Sequence, residues 1–261
     1  AEMYWIPVFT PATLPLKTGN PLRATVLPSS VTLTGDNVET PSLSIQNGEY
    51  ALRLSSYMRF ADVSLYGFYG WDDMPIITYK PTAQGIQLLG EYERMGMIGA
   101  DAAIPVKEIT LRLEGAVFPQ RAFSVSAKNQ LMGKEAYIRR TELTALCGID
   151  WMPAGWTLTA QYYADFVFGD TDLLERDFFE HKATLSVSRS FFADTLELSL
   201  SGILGLNDFD SAISFTAEYS LSDQISLSAG GILFFAGLDE DGEFGSYKDI
   251  SSALVKGVFR F

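Results

Sequence analysis

The sequence predicts an all-β chain, an antiparallel up-and-down meander of about twelve strands, on three observations. Apolar and polar residues alternate at period two in nearly every structured segment. Most of those segments run to about ten residues, where ordinary globular strands are nearer five or six. The connections between them alternate tight turns with longer, more polar loops. Successive side chains of a strand point to opposite faces, so each segment is a ribbon with one apolar and one polar side.

Taken in order, the first strand is expected at 2–9, "EMYWIPVF", and the longest connection follows it at 10–48, rich in Pro, Thr and Ser. A connection of that length is functional or disordered. Strands at 49–58 and 60–71 flank a short turn. The loop "WDDMPIITYKPTAQ" leads to a strand at 89–104, whose "EYERMGMIGADAAI" keeps the alternation least well. The turn "PVK" joins it to 107–118, and "PQRAFSVSAKNQLMGKE" leads to 136–151. Then "MPAG" precedes 155–168, "GDTDLLERDF" precedes 179–190 and "SFFADT" precedes 195–206. There Leu196, Leu198 and Leu200 oppose Glu197, Ser199 and Ser201. "NDFD" leads to 211–220, where Ile213, Phe215 and Tyr219 oppose Ser214, Thr216 and Glu218. "SLSD" leads to 223–236, and "GLDEDGEFGSYKD" to the last strand, 250–261.

Composition narrows the compartment. Apolar residues make up 47% of the 261 and charged residues 20%, which excludes a disordered chain. No stretch approaches the eighteen or so consecutive apolar residues of a spanning helix. A formal net charge of −13 argues against nucleic acid, which selects basic faces. The single Cys147 excludes an internal disulfide and a thiolate metal cluster. "AEMYWIPVF" has neither the basic start nor the cleavage motif of a signal peptide, as a mature secreted chain or a fragment would also lack them.

A soluble sandwich alternates too, so alternation alone does not choose between water and lipid. Strand length and loop asymmetry favour a bilayer, which tilted strands of about nine to eleven residues cross. Aromatics also gather near strand ends on the apolar parity: Tyr69, Trp71, Trp151, Trp156, Phe168, Phe179, Phe235, Phe259 and Phe261. Such placement suits the girdle where lipid tails meet headgroups. Closure would remove the two edges of an open sheet, and in lipid no water satisfies edge amides. The expected fold is therefore a single transmembrane antiparallel β-barrel over residues 1–261, its last strand paired with its first.

Particular segments carry a resemblance. "VKGVFRF" is similar to the C-terminal assembly signal of Gram-negative outer-membrane barrels, though Gly257 stands one place from the usual glycine. "WIPVFTPATLP", "EYALRLSSYMRFADVSLYGFYGWDDMP", "MIGADAAIPVKEITLRLEGAVF" and "GIDWMPAGWTLTAQYY" resemble a poorly characterised family of proteobacterial outer-membrane, porin-like proteins. The resemblance covers about a third of the chain and touches scaffolding more than chemistry. It implies an outer-membrane location, contact with lipids and lipopolysaccharide, and recognition of the C-terminal strand by the barrel-assembly machinery. Members of the family carry further sequence ahead of "WIPVF", which implies additional N-terminal strands.

Chemistry has few places to reside. The inward parity is expected to carry Arg53, Asp62, Glu108, Arg112, Glu114, Arg140, Glu142, Asp150, Asp165, Lys182, Glu197, Glu218, Lys256 and Arg260. Charges of both signs on facing strands either set a transverse field across a pore or pair and plug it. Twelve strands lie between the filled eight-stranded barrel and the aqueous sixteen-stranded one. A barrel phospholipase needs a serine activated by histidine. The only histidine, His181, shares its parity with Phe179, Ala183 and Leu185, and no serine sits beside it on that face. Acidic loops offer Asp170, Asp172, Glu175 and Asp177, and again Asp239, Glu240, Asp241 and Glu243, without the spacing of a calcium loop. The expectation is a non-enzymatic porin-like channel for small solutes, needing no cofactor or metal, with a closed structural or partner-binding barrel as the alternative and a lipid-modifying enzyme third.

Overall fold

A computed structural model of the chain describes residues 1–14, 38–83, 85–174, 176–238 and 242–260. The strands are β1 Glu2–Ile6, β2 Val38–Glu39, β3 Glu49–Tyr57, β4 Asp62–Trp71, β5 Ile76–Thr82, β6 Gly85–Glu91, β7 Arg94–Val106 and β8 Ile109–Ser124. After helix α1, Ala127–Leu131, come β9 Tyr137–Trp151, β10 Trp156–Phe168, β11 Phe179–Phe191, β12 Leu196–Gly205, β13 Ser211–Ser222 and β14 Ile225–Phe235. A short 3-10 helix, Gly245–Ile250, precedes β15 Ser252–Phe259. Twelve strands form one antiparallel sheet in the order β1-β3-β4-β7-β8-β9-β10-β11-β12-β13-β14-β15. Its members answer to the twelve expected segments. The strand expected at 89–104 divides, since Tyr92 and Glu93 separate β6 from β7.

Two features depart from the sequence expectation. First, the sheet is not closed into a barrel: β1 and β15 are its two edges, and no ladder joins them among the described residues. The alternation in "SSALVKGVFRF" reports which face a side chain occupies, whereas closure depends on backbone groups lying in the sheet plane. Phe261 lies outside the described residues. Second, "WDDMPIITYKPTAQ" is not a plain loop. It contributes β5, which pairs with β6 and, through it, with β2 in a separate three-stranded sheet. Leu88 is almost fully buried there against Val38, Ile77 and Tyr79. Of the long 10–48 connection, 15–37 lie outside the described residues.

The chain divides into two compact units. One comprises Ala1–Asp101, Glu114–Ala145 and Asp165–Glu180; the other comprises Ala102–Leu113, Leu146–Ala164 and His181–Phe261. In the second unit the ladders are regular. Leu198 lies opposite Arg189 on one side and Ala217 on the other. Exposure runs opposite to that of a soluble sheet. Leu198 and Leu200 are 41% and 53% exposed while their polar neighbours Ser199 and Ser201 are half-buried. On β14, Leu227 and Leu233 are exposed while Ser226 is buried. Ser201 and Ser214 share a 2.7 Å hydrogen bond across the polar face. The large side chains that are almost fully buried include Glu142 and Asp210 as well as Leu88, Val125 and Val167. Apolar area normally leaves water first. On β12 and β14 the serines are the less exposed side chains instead.

Candidate functional site

The first unit holds a linked set of charges on its covered polar side. Arg121 of β8 donates from Nε to Asp72 Oδ2 and from an Nη to Glu142 Oε2 of β9, both at 2.6 Å. Arg176, from the β10–β11 connection, reaches Glu142 at 3.4 Å, Asp165 of β10 at 3.2 Å and Glu180 at 3.4 Å. Glu142 thus sits between two guanidiniums, its side chain 2% exposed. The Phe123 ring lies between the same two groups, 5.8 Å from Arg121 and 5.6 Å from Arg176. A carboxylate held this far from water is stable only with such partners. With four acids around two arginines, the set is net acidic.

Arg121 reaches this side because β8 slips by one residue. Arg112, an even position, pairs with Asp150 at 2.5 Å, and Asp150 also accepts from Thr159 at 2.8 Å. Arg121, an odd position, pairs with Glu142, another even residue of β9. Between the two arginines Gln120 has a left-handed backbone, φ 53°, next to Pro119. An extra residue of that kind turns the remainder of the strand over.

Beside the cluster, Ile77, Tyr79, Phe123, Val125, Leu174 and Arg176 are among the residues lining an open recess of about 250 Å³. Gln130 of α1 fixes its wall. The side-chain amide donates to the carbonyls of Val125 at 2.8 Å and Ile77 at 2.9 Å, and its oxygen accepts the Tyr79 N–H at 3.0 Å. Ser126 caps the helix by accepting from Asn129 N at 3.3 Å. Replacing Gln130 by Leu removes those three hydrogen bonds, and the expected cost is about 1–3 kcal/mol. Urea unfolding of the refolded variant, read together with faster hydrogen exchange at Tyr79, checks it.

The other expected inward residues are dispersed. Arg53 lies over the Tyr66 ring at 5.7 Å, and Tyr66 donates to Asp101. Asp62 and Glu114 are exposed on their strands, and Glu108 is exposed in the β7–β8 turn. Arg140 donates to the Asp170 carbonyl at 3.0 Å. Lys182 pairs with Glu243, while Asp210 accepts the Phe244 N–H at 2.5 Å, so both hold the β14–β15 connection. Glu197 and Glu218 are direct cross-strand partners, both exposed. Lys256 lies opposite Ser228, and the Arg260 N–H reaches the Gln224 carbonyl at 2.8 Å.

Among the aromatics, Tyr69, Trp151, Trp156, Phe168, Phe235 and Phe259 are exposed. Trp71 is half-buried and donates to the Asn47 carbonyl at 2.9 Å. Phe179 stacks on Phe166 with centroids 4.6 Å apart. His181 faces Tyr162, whose hydroxyl is 3.0 Å from Nδ1, on the apolar side. Among the described residues no cluster of three acids, histidines or cysteines is arranged to hold a metal; Glu175, Asp239, Glu240 and Asp241 lie outside them.

Sequence reading reached Glu142, Asp165, Arg112 and Asp150, and missed Asp72, Arg121, Arg176 and Glu180. The strand expected at 107–118 runs on as β8 to Ser124, so Arg121, expected in the following loop, lies in the strand; Pro119 read as a bulge rather than a stop was the available signal. Neither a protein-family model nor a curated protein matches this chain.

Proposed function

We propose that the chain is a membrane-embedded β protein of a Gram-negative outer membrane and that it passes small solutes passively, as porins do. The observation that carries this reading is the exposure on β12 and β14, where Leu198, Leu200, Leu227 and Leu233 stand bare beside half-buried or buried serines. A bare apolar face of such extent is tolerated where lipid covers it. Exposed Trp151 and Trp156, flanking the β9–β10 turn, support the same orientation, because indole favours the bilayer interface. The proposal requires the outer edges of β1 and β15 to find partners in lipid, where an unsatisfied backbone group costs several kcal/mol. Lipids, lipopolysaccharide, the barrel-assembly machinery and small solutes are its partners; nucleic acid, cofactor and enzymatic chemistry have no part in it.

A second reading, a non-conducting structural or partner-binding membrane protein, draws on the buried Arg121–Glu142–Arg176 set, which fills polar space that a wide channel leaves to water. Conductance of purified protein in planar bilayers separates the two. The porin reading expects steps with a modest cation preference that fades as salt shortens the screening length. Glu197 and Glu218 face each other as like charges, so the paired change Glu197→Gln and Glu218→Gln should move the reversal potential toward anions under a salt gradient. A folded, inserted protein that never conducts favours the structural or partner-binding role.

A further inference from the structure

We propose that Arg189 is a binding site for the phosphate ester of a phospholipid headgroup, seated at the end of the sheet where the β9–β10 and β11–β12 turns lie; this inference rests on the membrane reading above. Arg189 belongs to the apolar parity of β11, with Leu185 and Val187. Two contacts fix the faces. Thr184 bonds Gln161 at 3.2 Å on the polar side, and His181 meets Tyr162 at 3.0 Å on the apolar side. Trp156 shares its parity with Tyr162, and the Arg189 guanidinium lies over the Trp156 ring at 4.9 Å. It also lies 5.0 Å from the Phe191 ring centre. Its cross-strand partner on β12 is Leu198, and Leu196 is opposite Phe191.

Every neighbour named on that face is apolar or aromatic. Among the described residues the Arg189 side chain makes no ion pair or hydrogen bond. The cation is half-buried all the same. Arg94 shows the contrasting arrangement. It stacks on Trp71 at 4.0 Å but donates to the carbonyls of Gly48 and Gln46 at 3.0 and 2.9 Å, so its donors are already engaged.

The position selects the ligand. Arg189 stands two residues from the end of β11, beside exposed Phe192 in the turn and exposed Trp156 at the start of β10. That is the depth of aromatic girdles, where long cationic side chains extend toward headgroups. A guanidinium offers a planar fork of donors that matches two phosphate oxygens, and stacked rings pre-organise it. Short turns mark the periplasmic side of outer-membrane barrels, so a phospholipid of the inner leaflet presents such a group at this level, with acyl chains lying along Leu198 and Val187.

Native mass spectrometry of the purified protein in detergent, titrated with phosphatidylglycerol, tests the site. Wild type should retain one tight lipid. Arg189→Gln should weaken it about tenfold, the loss of one charge-assisted pair, and Arg189→Lys should fall between. Inorganic phosphate at millimolar concentration should not displace the lipid. Equal retention in the Gln variant overturns the site, and displacement by inorganic phosphate overturns its assignment to lipid. Insertion into phosphatidylglycerol vesicles is measured in parallel. Wild type that fails to insert overturns the membrane reading and the site with it, whereas insertion with retention indifferent to Arg189 overturns the site alone.

Discussion

Replacing Arg121 by Ala is expected to destabilise the protein by about 3–5 kcal/mol, because it removes one partner of a buried pair and leaves the other charge in place. Asp72 loses its 2.6 Å contact, and Glu142 keeps only the more distant Arg176 at 3.4 Å. The comparison that identifies the cause is the double change Arg121→Leu with Glu142→Leu. It removes both charges of that pair and should cost less than the single change, which strands Glu142 as well as Asp72, whereas the double change strands Asp72 alone. Urea titrations of both proteins in the same detergent measure the difference. A single-variant cost below about 1 kcal/mol would mean that water reaches Glu142 freely and that the set is a solvated strip, as exposed ion pairs are.

Leu198→Arg should cost about 2–4 kcal/mol if the apolar side meets lipid near the midplane, and Ser199→Arg one residue away should be tolerated. The two substitutions introduce the same charge one residue apart on the same strand, so they compare its placement on opposite faces. Leu198 is already 41% exposed, so in water an arginine there is close to neutral. Folding yields into lipid vesicles give the answer directly. Equal yields for the two variants would defeat the membrane reading.

The strands were legible because an alternating pattern over ten residues fits one face of a sheet and no helix. What escaped reading escaped for physical reasons that can be named. Ile76 and Ile77 form β5 in a stretch interrupted by Pro81, too short and too polar to register as a strand. Arg121 was missed because the strand was expected to end at 118 and Pro119 to open a loop, whereas β8 continues to Ser124 past the left-handed Gln120. Asp72 and Arg176 lie in connections, where no periodicity predicts a direction. Gln130 engages backbone carbonyls and amides, which every residue except proline supplies alike, so no sequence signature marks its partners. The edges of the sheet were misjudged because side-chain pattern carries no information about an in-plane amide.

The order of strands in the large sheet also bears on how the chain reaches it. From β7 to β15 every neighbour in space is the next strand in sequence, so each addition closes only a short segment of backbone. Closing a loop costs entropy that rises by about 0.6 kcal/mol for each doubling of its length. Two joins lie outside this economy of distance. β4 meets β7 only after β5 and β6 have been bypassed, and β1 meets β3 only across residues 7–48. Sequence-local contacts assemble faster than distant ones. The topology therefore predicts a direction in time as well as in space, the C-terminal half growing hairpin by hairpin and the five residues of β1 joining last.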